Sequence, residues 1–235
     1  MSIRLLVALI TFCVGVVIAA VWVARQTPEP VAPPLLESSP PEMQSRCFPG
    51  RSQKVAQLSR AEGGYFPEGA FFQDALLSKS SVRWYTRTFK QLNEPTLLNG
   101  GQTAYRFLWL RSFHPTIAVR VWLDGEKKML TIKELSRDID GESATLRINQ
   151  TRTLTADEWM TFTKLLDESC FWETPASSDD VIAEDGAWWA LEGVREGHYH
   201  VTHKQSPSSG AYRELCLYML KLSGLPLDES KGEIY

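Results

Sequence analysis

TAYRFLWLRSFHPTIAVRVWLDGEKKMLTIKEL, residues 103–135, decides the fold. Tyr105, Phe107 and Trp109 alternate with Arg106, Leu108 and Leu110, and Ile117, Val119, Val121 and Leu123 alternate with Ala118, Arg120 and Trp122. A period of two sends successive side chains to opposite faces of a strand, and both sets here are largely apolar. These strands are therefore half or wholly buried. KKMLTIKEL and then ATLRINQTRTL follow at hairpin spacing, which predicts a four-strand meander.

Helix signals flank the meander. In TLTADEWMTFTKLLDESCFW, Thr155 and Glu158 form a capping box, with Leu154 and Trp159 at the staple positions. The helix is expected from Ala156 to Cys170, with Trp159, Phe162, Leu166 and Cys170 on its core face. In GAYRELCLYMLKLSGLP, Leu215, Met219 and Leu222 make the stripe and Gly224, Leu225 and Pro226 the stop. An earlier helix in SSVRWYTRTFKQLNEP carries Tyr85, Phe89 and Leu92 on one side and ends at Glu94-Pro95. Strands and helices do not alternate, so a parallel doubly wound sheet is excluded. The fold class is α+β, an antiparallel sheet of four meander strands plus a hairpin, packed with about three helices.

Residues 5–24 are an uninterrupted apolar or small run of 20, bracketed by Arg4 and Arg25 and about long enough to span a bilayer. A cleaved signal usually has a shorter apolar stretch, and Trp22 spoils the exit after Ala24. Residues 1–26 are therefore expected to be an uncleaved membrane anchor, with a signal sequence cleaved after Ala19, a tolerable exit, as the alternative. Arg4 and the free amine are expected to keep the N-terminus inside, so the remainder is exported. Residues 27–45 are a proline-rich linker without aromatics, and residues 46–235 form a single globular domain. A formal charge of −3, with Lys and Arg scattered along the sequence, gives no footprint for nucleic acid. The expected partners are the membrane, through the anchor, and a protein or small-molecule ligand.

The hairpin stretch GAWWALEGVREGHYHVTHKQSP, residues 186–207, holds three of the four histidines. A three-residue loop of Arg195, Glu196 and Gly197 sets Val194 opposite His198 and Glu192 opposite His200, with Tyr199 and Val201 on the core face. A carboxylate beside an imidazole raises its pKa and orients the ring, as a general base or pH sensor requires. Glu192, His200 and His198 are thus the candidate binding residues, with a plain cross-strand ion pair as the structural reading. Two histidines at i, i+2 lack a signposted third ligand, so no metal is expected, and no cofactor motif is present. Asp138, Asp140 and Gly141 imitate a calcium loop, but Arg147 stands where its bidentate Glu is required, so Asp140-Gly141 reads as a turn. The acidic cluster of Asp179, Asp180, Glu184 and Asp185 reads as a solvated loop. Cys47, Cys170 and Cys216 show no metal or CxxC spacing, and Cys170 and Cys216 read as buried thiols rather than a disulfide. Trp159 and Tyr199 are expected to be buried.

The phrases RWYTRTFKQLNEPTL, YRFLWLRSFHPTIAVRV, DGAWWALEG, YHVTHKQSP and GAYRELCLYML occur in this order. In them the chain resembles a family of uncharacterised bacterial proteins with no assigned activity. The resemblance implies bacterial origin and one contiguous domain, and it carries no catalytic residue over. Glu192 and His200 fall within the shared phrases, whereas His198 lies outside them. With no nucleophile signposted, the expected function is a membrane-anchored, exported binding or interaction module. The alternative is a hydrolase-like enzyme using Glu192 and His200.

Overall fold

The computed structural model describes residues 47–71, 75–136, 144–177, 185–227 and 234–235. The expected anchor and linker, the Asp140-Gly141 turn with the calcium-like loop, and Asp179, Asp180 and Glu184 lie outside the described residues. Among the described residues no helix is long and apolar enough to cross a membrane.

Seven strands form one antiparallel sheet: β1 (Gln53–Lys54), β2 (Ala104–Arg111), β3 (Ile117–Asp124), β4 (Lys127–Leu135), β5 (Leu146–Thr153), β6 (Ala187–Arg195) and β7 (His198–Gln205). The order across the sheet is β1-β7-β6-β2-β3-β4-β5. The meander β2 to β5 is as the alternation predicts, and the β6–β7 hairpin docks on its β2 edge. The two-residue β1 adds a seventh strand, created by pairing with the start of β7. Among the described residues three α-helices accompany the sheet: α1 (Ala75–Gln91), α2 (Ala156–Glu168) and α3 (Ala211–Ser223).

Because both faces of the central strands are apolar, the sheet is covered on both sides. Tyr105, Phe107, Val119, Ile132, Trp189 and Leu191 face α2 and α3. Leu108, Ala118, Ala190, Val194, Tyr199 and Val201 share the other cluster with Tyr85 and Phe89 of α1 and with Phe66 and Phe71 from the preceding loop. The α2 capping box is present in full, with the Thr155 side chain accepting from the Glu158 N–H and Glu158 accepting from the Thr155 N–H. Arg152 reinforces it through two hydrogen bonds to Glu158 at 2.7 and 2.8 Å. Those bonds hold the Glu158 carboxyl down to about 2, against the burial that would raise it.

Two expectations about α2 need correction. Trp159 is half-buried, packed against the rim of the cluster whose interior Phe162 fills. The helix ends at Glu168, so Cys170 lies beyond it in a left-handed conformation, φ 43°. That turn carries its sulfur off the helical stripe and into a disulfide with Cys47. Cys216 alone among these three is a buried thiol, and burial pushes its pKa up.

Candidate functional site

The β6–β7 connection is a two-residue loop, Glu196-Gly197, with φ of 51° and 73°. Two left-handed residues in succession make the turn whose twist matches that of the strands it joins, and Gly at the second position removes the steric penalty there. Arg195 therefore faces His198, Val194 faces Tyr199, Gly193 faces His200 and Glu192 faces Val201. This register is one residue away from that of a three-residue loop. A one-residue slip sends every side chain of β7 to the other face. Glu192 and His200 consequently lie on opposite sides of the sheet, and the expected pair does not form.

Each of the three candidate residues has other partners. His200 is buried against Phe171, with ring centroids 5.0 Å apart, and its Nε2 lies 2.8 Å from the Thr174 carbonyl oxygen. Burial lowers its pKa to about 4, although the Thr174 carbonyl favours the charged form. The neutral ring therefore donates its Nε2–H to that carbonyl. His198 is half-buried, edge-on to Phe48 at 5.4 Å, with Nδ1 3.3 Å from the Glu196 carbonyl oxygen. His203, on the α1 face, stacks on Trp188 at 4.9 Å and places Nδ1 3.0 Å from the Tyr85 hydroxyl. Burial brings its pKa to about 4 as well.

Glu192 belongs to a row that the register lays across the α1 face: Glu192, Arg106, Arg120 and Thr131 sit opposite one another on β6, β2, β3 and β4. Arg106 is fully buried, its guanidinium 3.6 Å from the Phe89 ring centroid. It donates to Glu192 Oε1 from Nε at 2.7 Å and again from Nη2, while Tyr199 donates to Oε2 at 3.0 Å. Nη1 of Arg106 reaches Glu94 Oε2 at 3.2 Å and the Pro95 carbonyl at 2.6 Å. Glu94, in the turn after α1, also takes Arg120 at 2.8 Å and Lys133 at 3.0 Å. Three cations thus face two carboxylates in a closed network. Burial opposes the charge on Glu94, but Arg106, Arg120 and Lys133 together outweigh it and hold its carboxyl below the usual range. At Glu192 burial prevails and raises the pKa, against Arg106 and the Tyr199 hydroxyl. No side chain in the network is more than 12% exposed, so it is shielded from solvent. Its role is to fix the end of α1 to the middle of the sheet.

What that anchoring exposes is a groove of about 670 Å³ between α1 and the loop of residues 61–69. Lys79, Arg83, Arg87 and Lys90 line it and are exposed, and Ala61, Val82 and Thr86 give it an apolar lining. Glu62 and Glu68 stand on the loop side. The loop closes tightly on the helix: Gly63 has φ +88°, and a Cβ there would lie 2.5 Å from the Thr86 methyl carbon. The hydroxyls of Ser78 and Thr86, in the same wall, are buried without a hydrogen-bond partner among the described residues. Along the sequence the basic residues look scattered, and the helix gathers them. Their spacing of four, four and three was the signal available, because positions that far apart share a helix face.

Among the described residues no cluster of three or more His, Cys, Asp or Glu side chains could hold a metal ion. No protein-family model, no curated protein and no solved structure matches the chain.

Proposed function

We propose that residues 46–235 are the binding module of a membrane-tethered, exported protein, and that the groove along α1 is its ligand site. The observation that carries this reading is the groove itself, a preformed concavity combining apolar lining with a ridge of basic side chains. Such a combination is what a ligand-binding site requires. The ionisable groups best placed for chemistry, Glu94 and Glu192, are sealed beneath α1 instead. Tethering and export rest on the apolar run of residues 5–24 and the basic residue before it. The Cys47–Cys170 disulfide supports an oxidising compartment, where such bonds persist. The resemblance to uncharacterised bacterial proteins supports the periplasm as that compartment, with the proline-rich linker as a spacer.

The test has two parts. An export-dependent reporter fused after Tyr235 is expected to be active, and activity of a cytoplasm-dependent reporter instead would overturn the export reading. In hydrogen exchange, a membrane-free extract of the producing cells is expected to protect the α1 amides. An Ala61→Trp variant, which fills the groove, is expected to lose that protection. Equal protection in both proteins would remove the groove from the function.

A further inference from the structure

We infer that the groove along α1 receives an extended acidic peptide segment with carboxylates at alternate positions. This inference rests on the reading of the groove as the ligand site and adds the chemistry of the ligand.

The argument is one of charge and spacing. Lys79, Arg83, Arg87 and Lys90 present four cations to the groove, and Glu62 and Glu68 return two anions, so the lining carries a net charge of two positive. Among the described residues the ion pair across it, Arg83 with Glu62 at 4.0 Å, joins side chains that are 65% and 82% exposed. A pair so long and so solvated holds its partners weakly, and a better-placed carboxylate displaces it. Successive cations at i, i+4 on a helix rise about 6 Å apart. Same-side residues of an extended chain repeat every 6.5 to 7 Å, or roughly the same interval. Carboxylates at alternate residues of an extended segment therefore fall in step with Lys79, Arg83 and Arg87. The intervening side chains turn toward the apolar lining beside Ala61 and Val82, which favours small apolar residues there. From Lys79 to Lys90 the ridge is about 16 Å long, the reach of roughly five extended residues.

A membrane surface fits less well. The cations line a recess, and a flat bilayer does not enter one. Glu62, exposed on the loop side, would also meet anionic headgroups with like charge.

The experiment uses the full-length chain in neutral detergent micelles and a fluorescein-labelled peptide of alternating Glu and Val, read by anisotropy. Saturable binding is expected, weakening about tenfold or more in an Arg83→Glu/Arg87→Glu double variant and falling as salt rises from about 0.05 to about 0.5 M. Both arginines are solvent-exposed, and unchanged circular dichroism and urea midpoint confirm that the variant is folded. The same peptide with Lys for Glu is expected not to bind. A peptide with its Glu residues in one block and its Val residues in another is expected to bind more weakly than the alternating one. Equal affinity of wild type and double variant overturns the inference, as does equal affinity for the blocked peptide. Stronger capture of the full-length chain by vesicles of phosphatidylglycerol than of phosphatidylcholine, lost in the Arg83→Glu/Arg87→Glu variant, also overturns it in favour of a lipid surface, since the anchor at residues 5–24 enters either vesicle alike. If the acidic peptide fails while the extract still protects α1 in an Ala61-dependent manner, the groove remains the ligand site and only the acidic chemistry falls.

Discussion

Acidification is expected to destabilise this domain well before its carboxylates titrate, through His200 and His203. Both rings are buried and held near 4, against an ordinary value of 6.5. The folded state thus keeps them neutral over a range in which the unfolded chain takes up their protons. For a depressed histidine pKa, stability is fully present above 6.5, declines as pH falls below it, and stops declining near 4. The whole interval corresponds to roughly 3 kcal/mol per histidine, and the part between pH 7 and pH 5 to about 2. Glu94 and Glu158, both lowered, add their losses only below the ordinary carboxylate value. Glu192 acts in the opposite sense, because burial raises its pKa and the folded state takes its proton first.

The individual histidines are separated by substitution. His200→Gln keeps a donor for the Thr174 carbonyl and cannot titrate, and His203→Gln keeps a polar partner for the Tyr85 hydroxyl. Urea denaturation of the Ser45–Tyr235 unit, followed by tryptophan fluorescence at pH 7 and pH 5, measures the difference. Each variant is expected to lose about 2 kcal/mol less than wild type over that interval, whatever its stability at pH 7. A His200→Gln protein that loses as much as wild type between the two pH values would refute the claim that burial keeps this ring neutral.

Two further outcomes follow from the packing. Cys47 and Cys170 are 123 residues apart, so removing their bond with Cys170→Ser is expected to cost about 2 to 5 kcal/mol by freeing the unfolded chain. Thiol trapping of the unreduced, unfolded Ser45–Tyr235 unit should label Cys216 alone, and labelling of all three cysteines would contradict the pairing. Arg106→Met removes the cation shared by Glu94 and Glu192 and is expected to cost about 3 to 5 kcal/mol in urea denaturation. Adding Glu192→Met should cost less than the sum of the single substitutions, because the second change removes an already unpaired carboxylate. Strict additivity would show that the two groups are not coupled.

The strands and helices were legible because their periodicities are strong: residues 103–135 alternate cleanly, and Thr155 with Glu158 announces α2. The hairpin register was not, for a physical reason. Gly197 satisfies both a three-residue loop with glycine last and a two-residue loop with glycine second. Polarity ordinarily arbitrates between them, but β6 and β7 are covered on both faces, so each register buries apolar groups. The alternation places Arg106 and Arg120 on one strand face without saying what they meet there; with Lys133 they face Glu94 and Glu192 beneath α1. Nothing near those residues in sequence marks Glu94 or Glu192 as their partners. The disulfide was hidden by two residues of helix. Had α2 run to Cys170, the thiol would have stayed on the buried stripe, whereas ending at Glu168 turns it toward Cys47.

The buried network and the groove belong together through the turn after α1. Glu94 fastens that turn to β2, β3 and β4 through Arg106, Arg120 and Lys133. The opposite wall hangs from the same segment. The Tyr65 hydroxyl donates to the Glu94 carbonyl at 2.7 Å, Thr96 donates to the Gly64 carbonyl at 2.8 Å, and Arg60 donates to the Leu98 carbonyl at 2.9 Å. Phe66, against Phe71, Tyr85 and Phe89, ties the loop to the helix face. The helix wall and the loop wall are therefore fixed to one piece of backbone, and that piece is fixed to the sheet. A groove whose width is set in this way needs little ordering when a ligand enters, which favours affinity from few contacts. The deepest charges of the domain thus hold still the helix that carries the exposed ones, which is what the proposed binding role asks of them.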